Sequence, residues 1–153
     1  MSAPKKGEQR VIATNKKVSF ELDVTDRFEA GIVLTGSEVK VLRQGKCVLQ
    51  GAHVRVLSGE AFAFGISIPE YPWSHQFNHE PGRQRKLLLH AREILKLELA
   101  LKDKGTTAVI GRVYFVGSRV KVEVCLGKGK KLHDKRDDLK EKQAKRELAR
   151  IHR

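Results

Sequence analysis

Residues 107–127, TAVIGRVYFVGSRVKVEVCLG, are two β-branched runs separated by Gly117-Ser118. Side chains of a strand alternate between faces, and Gly-Ser suits a tight turn, so this stretch predicts a β-hairpin. Val120, Val122, Val124 and Leu126 are expected to point inward, and Lys121, Glu123 and Cys125 outward. Such a hairpin needs other strands to cover its apolar side, and the rest of the chain offers them. VSFELDVT alternates Val18, Phe20, Leu22 and Val24 with Ser19, Glu21, Asp23 and Thr25, which predicts a half-buried strand. EAGIVLTG reads as a more buried one. HVRVLSGEAFAFGISI predicts a second hairpin turning at Ser58-Gly59. Its Phe62, Phe64, Ile66 and Ile68 alternate with Ala61, Ala63, Gly65 and Ser67. Small residues at that period suggest a tightly curved barrel wall or a close neighbour.

Helical signals are few. In TGSEVKVLRQG, Thr35 and Glu38 fit a capping box, Val39 and Leu42 share a face, and Gly45 ends the helix. HAREILKLELALKDKG predicts a helix with Ile94, Leu95, Leu97 and Leu101 near one face, His90 near the N-cap and Gly105 at the end. RKLLL fits strand or helix, and PEYPWSHQFNHEPG is a loop between Pro69 and Pro81. Roughly six short strands with two or three short helices predict a mainly β chain, a small antiparallel OB-like barrel. Residues 1–14 are expected to be a flexible basic arm, 15–126 the barrel, and 127–153 a basic tail.

Charge narrows the function. The 153 residues carry a net +13. Lys128 to Arg153 holds eleven Lys/Arg against five Asp/Glu, so the tail and the remainder are both basic. A field of this size favours a polyanion, nucleic acid first and an anionic membrane surface second. Cys47 and Cys125 are the only cysteines and form no C-x-x-C pair, which suggests free thiols in a reducing compartment. No apolar run approaches the ~20 residues of a membrane span, and MSAPKKGEQR has no apolar signal region. A cytoplasmic location is expected.

A catalytic reading finds little. His75 and His79 lie in a proline-bounded loop, no H-E-x-x-H occurs, and GKGKK lacks phosphate-loop spacing. No catalytic residue, metal site or cofactor is expected. Binding residues are easier to assemble. Asn15, Lys16 and Lys17 stand before the first strand, lysine suiting phosphate and asparagine a base edge or sugar. In PGRQRKLLLHAR, Arg83, Arg85, Lys86 and Arg92 gather with His90 around the start of an element, where a helix start would add N–H donors for an anion. Lys121 points outward from the last hairpin. Tyr71, Trp73, Phe77 and Tyr114 are candidates for stacking on bases, although Phe77 and Tyr114 equally suit a core. The tail has acids early (Asp134, Asp137, Asp138, Glu141) and bases late (Lys145, Arg146, Arg150, Arg153), an order that suits a helix dipole. Asp138–Lys142 and Glu141–Lys145 are favourable i, i+4 pairs. Its apolar stripe is thin, so it is expected to be disordered alone and helical on a charged template.

In order, NKK, FEAGIVLTGSEVKVLRQGK, RKLLLHAREI and LGKGKKLHDKRDDLKEKQAKRE resemble the bacterial tmRNA-binding family, small protein B (SmpB), from about Asn15 onward. The resemblance implies an OB-like barrel with three helices and a C-terminal tail. It implies binding to the tRNA-like domain of tmRNA and delivery to stalled ribosomes in trans-translation. The ribosome's small subunit and its RNA are further expected partners; a membrane is not, and the protein is expected to be a monomer. The family's RNA-contacting positions fall on Asn15, Lys16, Glu29 and Leu88, while His90 stands where some relatives have Asn. The ribosome-facing tail falls on Gly129, Lys130, Lys131, His133, Asp134, Lys135 and Arg136, expected near the decoding centre in the empty mRNA channel. The loop around Trp73 matches no family pattern. The alternative from residues alone is a general OB-like ribosome-associated RNA chaperone or assembly factor.

Overall fold

The computed structural model describes residues 9–73, 78–130 and 132–151; His75, Phe77 and Lys131 lie outside them, as do the side chains of His133, Asp134 and Lys135. The chain runs β1 (Gln9–Thr14), α1 (Val18–Glu21), β2 (Leu22–Ile32), α2 (Gly36–Arg43), β3 (His53–Leu57), β4 (Glu60–Phe64), β5 (Arg85–Leu88), α3 (Ala91–Leu101), β6 (Thr106–Val116), β7 (Arg119–Gly129) and α4 (Leu132–Ile151). Every strand pairing is antiparallel, in the order β1-β6-β3-β4-β5-β2-β7, and β6 also pairs β7. That last pairing closes β6-β3-β4-β5-β2-β7 into a ring, with β1 added beside the second half of β6. The architecture is the expected small antiparallel β-barrel, with one more strand than the sequence suggested.

Both predicted hairpins form. Ser58 and Gly59 have φ of 51° and 76°, the doubly positive pair that matches the twist of a two-residue hairpin. Val120, Val122, Val124 and Leu126 are buried as expected. The β4 wall is inverted in size. Ala61 and Ala63 face the interior, while Phe62 and Phe64 are only half-buried. Ala61 and Ala63 pair with the large inward Leu87 and Arg85 of β5, which leave room only for small β4 side chains, so the phenyl groups stand outside. Gly65, at φ 80°, then switches the alternation so that Ile66 and Ile68 return to the core.

The capping box on α2 is present: Thr35 N–H donates to Glu38 Oε1 (2.8 Å) and Thr35 Oγ1 accepts from Glu38 N–H (3.4 Å). In α3 the buried residue is Leu97, with Ile94 and Leu101 half-buried; Leu95, expected on the same face, is exposed. RKLLL resolves as strand β5, with Arg85 and Leu87 inward.

Three boundaries differ from expectation. Residues 9–14 are not a loose arm but β1, whose Gln9–Thr14 pair with Val116–Arg112. VSFE is one turn of helix rather than strand. Val18 and Leu22 are one helical turn apart, and together they cover Cys125 on the outer side of β7. Cys125 therefore points away from the barrel yet is buried. Finally, β7 continues to Gly129, opposite Leu22, so the barrel ends three residues later than Leu126.

Candidate nucleic-acid interface

Strand register brings several separate sequence signals onto one outer face. Across β5, β2, β7 and β6, one row runs Leu88–Gly31–Lys121–Tyr114. The next row runs Glu29–Glu123–Arg112. Gly31 is the low point between Leu88 and Lys121. A Cβ there would lie 3.2 Å from Leu88 Cβ, tighter than ordinary packing. Leu88 is 55% exposed despite its size. It and Lys121 line a cleft of about 320 Å³ together with Ser118 and Arg119.

Glu29 and Glu123 are directly opposed, which alone would repel. Two arginines resolve the conflict. Arg112 donates to Glu123 Oε2 through Nε (2.9 Å) and Nη2 (2.6 Å), and Arg27 lies 3.6 Å from Glu123 Oε1. Glu29 is held differently: the Tyr114 hydroxyl donates to its Oε2 at 2.7 Å. Burial, then the neighbouring Glu29 carboxylate, push the Tyr114 phenol far above its ordinary range, so it remains a donor. The Arg112 guanidinium sits over its ring at 5.2 Å. Glu29 is exposed, and its Oε1 has no hydrogen-bond partner among the described residues.

Asn15 joins the edge of this face. Its backbone N–H donates to the Gly111 carbonyl (2.7 Å), and its Oδ1 accepts from Lys17 N–H (3.2 Å). This short turn starts α1 and leaves Lys16 and Lys17 exposed. The lysines line a groove of about 570 Å³ with Glu21, Cys47 and Gln50. Lys16, Lys17 and Lys121 make no ion pair among the described residues. Burial raises both Cys47 and Cys125 to about 11, so the thiols stay protonated and unreactive at neutral pH.

The remaining sequence candidates divide between inward positions and the outer surface. Arg83 is engaged inward, bonded to the fully buried Glu38 carboxylate and to the Val33 carbonyl (3.2 Å). It is a structural residue rather than a free phosphate contact. Its partner Arg85, expected beside it as a binding cation, is completely buried; it donates to Glu38 Oε2 (2.6 Å) and to the carbonyls of Ile66, Arg83 and Pro81. Lys86 points outward from β5 and pairs with Glu60 at 3.2 Å. His90, 80% exposed, caps α3, and its backbone N–H donates to Glu93. Tyr114, considered for base stacking, is buried and acts through Glu29 instead. Trp73 is 74% exposed, away from this face in the chain. His79 is buried, bonded through Nδ1 to Ser37 Oγ and through Nε2 to the Ile68 and Pro69 carbonyls, so it is a structural histidine.

The tail leaves the barrel at Gly129. Lys130 fastens it, with its N–H donating to the Glu21 carbonyl (3.0 Å) and its Nζ to the Ser19 carbonyl (2.8 Å). Beyond, α4 is one helix of 20 residues. Arg136 and every other described side chain on it is exposed.

A closed basic barrel, with Lys121 beside an apolar cleft, Lys16 and Lys17 along a second groove and an exposed carboxylate between strands, defines a nucleic-acid-binding β-barrel with an appended helix. The family model described as "SmpB protein" matches residues 12–153. Similar proteins include the SsrA-binding protein of Sulfurihydrogenibium sp. (strain YO3AOP1), 49% identical over 140 residues and 92% of both chains. That of Sorangium cellulosum (strain So ce56) is 50% identical over 140 residues, 92% of this chain and 86% of the relative. A chain of the solved structure "tmRNA-SmpB: a journey to the center of the bacterial ribosome" is 36% identical with a TM-score of 0.66, covering 78% of this chain and 85% of its own. The chain belongs to the SmpB family.

Proposed function

We propose that this protein binds tmRNA through the Glu29 face and carries it to stalled ribosomes in trans-translation. The observation that carries this reading is the convergence of Glu29, Leu88 and Lys121 on one face, with Asn15, Lys16 and Lys17 at its edge. The lysines supply phosphate contacts. A carboxylate repels phosphate, so Glu29 is useful there only against base N–H donors. Tyr114 fixes one of its oxygens and leaves the other for the RNA. Leu88 offers an apolar surface to a base or sugar. Family membership and the solved tmRNA–SmpB relative support the same partner. The domain contacted is the tRNA-like domain of tmRNA, and the protein acts as a cytoplasmic monomer. No helix among the described residues is long and apolar enough to cross a membrane.

The tail has a separate task. At ~1.5 Å per residue a 20-residue helix spans about 30 Å. Every described side chain of α4 is exposed, and an isolated helix of this length is marginal in water. It is therefore a segment that a charged channel stabilises, and we assign it to the vacant mRNA path near the decoding centre. In this assignment Gly129 and Lys130 form its root, and Lys131, His133, Asp134, Lys135 and Arg136 are the residues that meet ribosomal RNA. The test is binding by gel shift. Glu29→Ala, and Asn15→Ala with Lys16→Ala, should weaken binding to the tRNA-like domain while thermal unfolding stays unchanged. Equal affinity for bulk tRNA and this domain would favour a general RNA chaperone instead.

A further inference from the structure

A second cleft, of about 510 Å³, lies between β3 and α3, away from the Glu29 face. Its volume falls within the usual range for small-ligand sites, about 300–1,000 Å³. Arg55 and Leu57 come from the outer side of β3; Glu98, Leu101 and Lys102 come from α3. Leu57 is 45% exposed. Arg55, Glu98 and Lys102 make no ion pair among the described residues, in contrast to Arg112, Glu123, Arg83 and Glu38. Although Glu98 and Lys102 stand i, i+4 on α3, the cleft keeps a net positive charge for something outside the chain.

Next to the cleft is a stack of flat groups. The His53 ring lies parallel to Phe64, 15° apart with centroids at 5.6 Å, and the Arg55 guanidinium sits 5.6 Å from the same ring. His53 Nδ1 is 3.0 Å from the Gly51 carbonyl, which can only accept, so Nδ1 carries the proton and Nε2 is left outward. Phe62 and Phe64 belong to neither apolar cluster of the barrel. Register then lines up Arg55, Phe62 and Lys86 across β3, β4 and β5. A cation, a ring and a cation in line form a track for a polymer of charged backbone and flat bases.

We propose that the β3–α3 cleft holds an unpaired nucleotide of RNA, with its phosphate between Arg55 and Lys102 and its base over Leu57 and Leu101. Glu98 accepts from the base's amino group, and the strand continues over Phe62 toward Lys86. The identity of the polymer rests on the RNA-binding reading above. The cleft is distinct from the Glu29 face, and the track approaches that face only at Lys86, two residues before Leu88 on the outer side of β5. Both walls are regular elements, so the site is preformed.

The test is photocrosslinking of the full chain in about 0.15 M salt. The probes are a short single-stranded RNA, the tRNA-like domain of tmRNA and intact ribosomes, each carrying 4-thiouridine. Crosslinks within 53–57 and 98–102 are expected in at least one arm, and that arm names the source. Arg55→Glu with Lys102→Glu should remove them and lower affinity for that RNA about tenfold, with an unchanged thermal midpoint. If that pair fails to fold, Arg55→Gln with Lys102→Gln gives the same readout with smaller loss. In the single-stranded RNA arm Glu29→Ala should leave these crosslinks intact, while its effect on the tRNA-like domain is read separately by gel shift, so the two proposals fail independently. Crosslinks confined to other surfaces in all three arms, or crosslinks that survive both double variants, overturn the proposal.

Discussion

Glu38→Gln is the perturbation whose effect the structure defines most fully. Glu38 is fully buried, closes the Thr35 capping box and meets both Arg83 and the fully buried Arg85. Burial acts to raise its pKa, but hydrogen bonds from Arg83, the Thr35 N–H and Arg85 outweigh it, so the carboxyl titrates below its ordinary 4.5. Glutamine keeps the shape and removes the charge. Arg85 would then remain ionised in the interior with only the carbonyls of Ile66, Arg83 and Pro81 around it. Removing one partner of a buried pair costs about 3–5 kcal/mol. The three carbonyls place this case near the lower figure. For a chain of this size, about 3 kcal/mol lowers the thermal midpoint by roughly 6–12 °C. The assay is thermal unfolding by circular dichroism at neutral pH, with Arg83→Ala as a milder control, since Arg83 is partly exposed. The pH dependence has a definite sign. A carboxyl with a depressed folded pKa stabilises above its unfolded value and loses that contribution as pH falls through the folded one. The gap between wild type and Glu38→Gln should therefore narrow below about pH 4.5. A midpoint within about 2 °C of wild type at neutral pH would refute the claim that this ion pair holds Arg85.

Three further outcomes follow from the same structure. Tyr114→Phe removes the donor to Glu29 and should weaken tmRNA binding about fivefold, a net hydrogen bond of ~1 kcal/mol, with little change in thermal midpoint; calorimetric titration checks it. Gly127→Ala would put a Cβ 2.2 Å from the Asp23 carbonyl oxygen across β2 and β7. Two backbones must part there, so a loss of at least ~1–3 kcal/mol is expected in denaturant unfolding. Leu148→Pro breaks α4, at about 3 kcal/mol of helix stability. It should abolish tmRNA tagging while leaving the barrel's unfolding midpoint and tmRNA affinity unchanged.

What could be seen in the sequence was what short-range chemistry specifies. The Gly-bearing turns, the period of two in β7 and the Thr35–Glu38 box each act within a few residues, and each appears as expected. Val18 to Leu22 failed because Val18 and Leu22 satisfy a helical turn as well as alternation; the choice was made by Cys125, more than 100 positions away. Arg85 sits at an inward position shared with Leu87, but its burial depends on Glu38, 47 residues earlier. The same long-range pairing took Arg83 out of the predicted binding set. Glu29 and Leu88 were found through motif resemblance and Lys121 through alternation, yet their union with Tyr114 follows from strand register alone. The outward Phe62 and Phe64 show the converse: alternation was visible, but which side faced the narrow interior was not.

The central claim is a division of labour between barrel and tail. It is tested most directly by a chain ending at Lys130, assayed for tmRNA tagging on stalled ribosomes and for affinity toward the tRNA-like domain. This truncation keeps every residue of β7 and the Lys130 contacts to α1. The account predicts affinity within a few-fold of the full chain, reduced only by the lost long-range attraction, and no tagging. Full tagging by the shortened chain, or loss of its tmRNA binding, would contradict it.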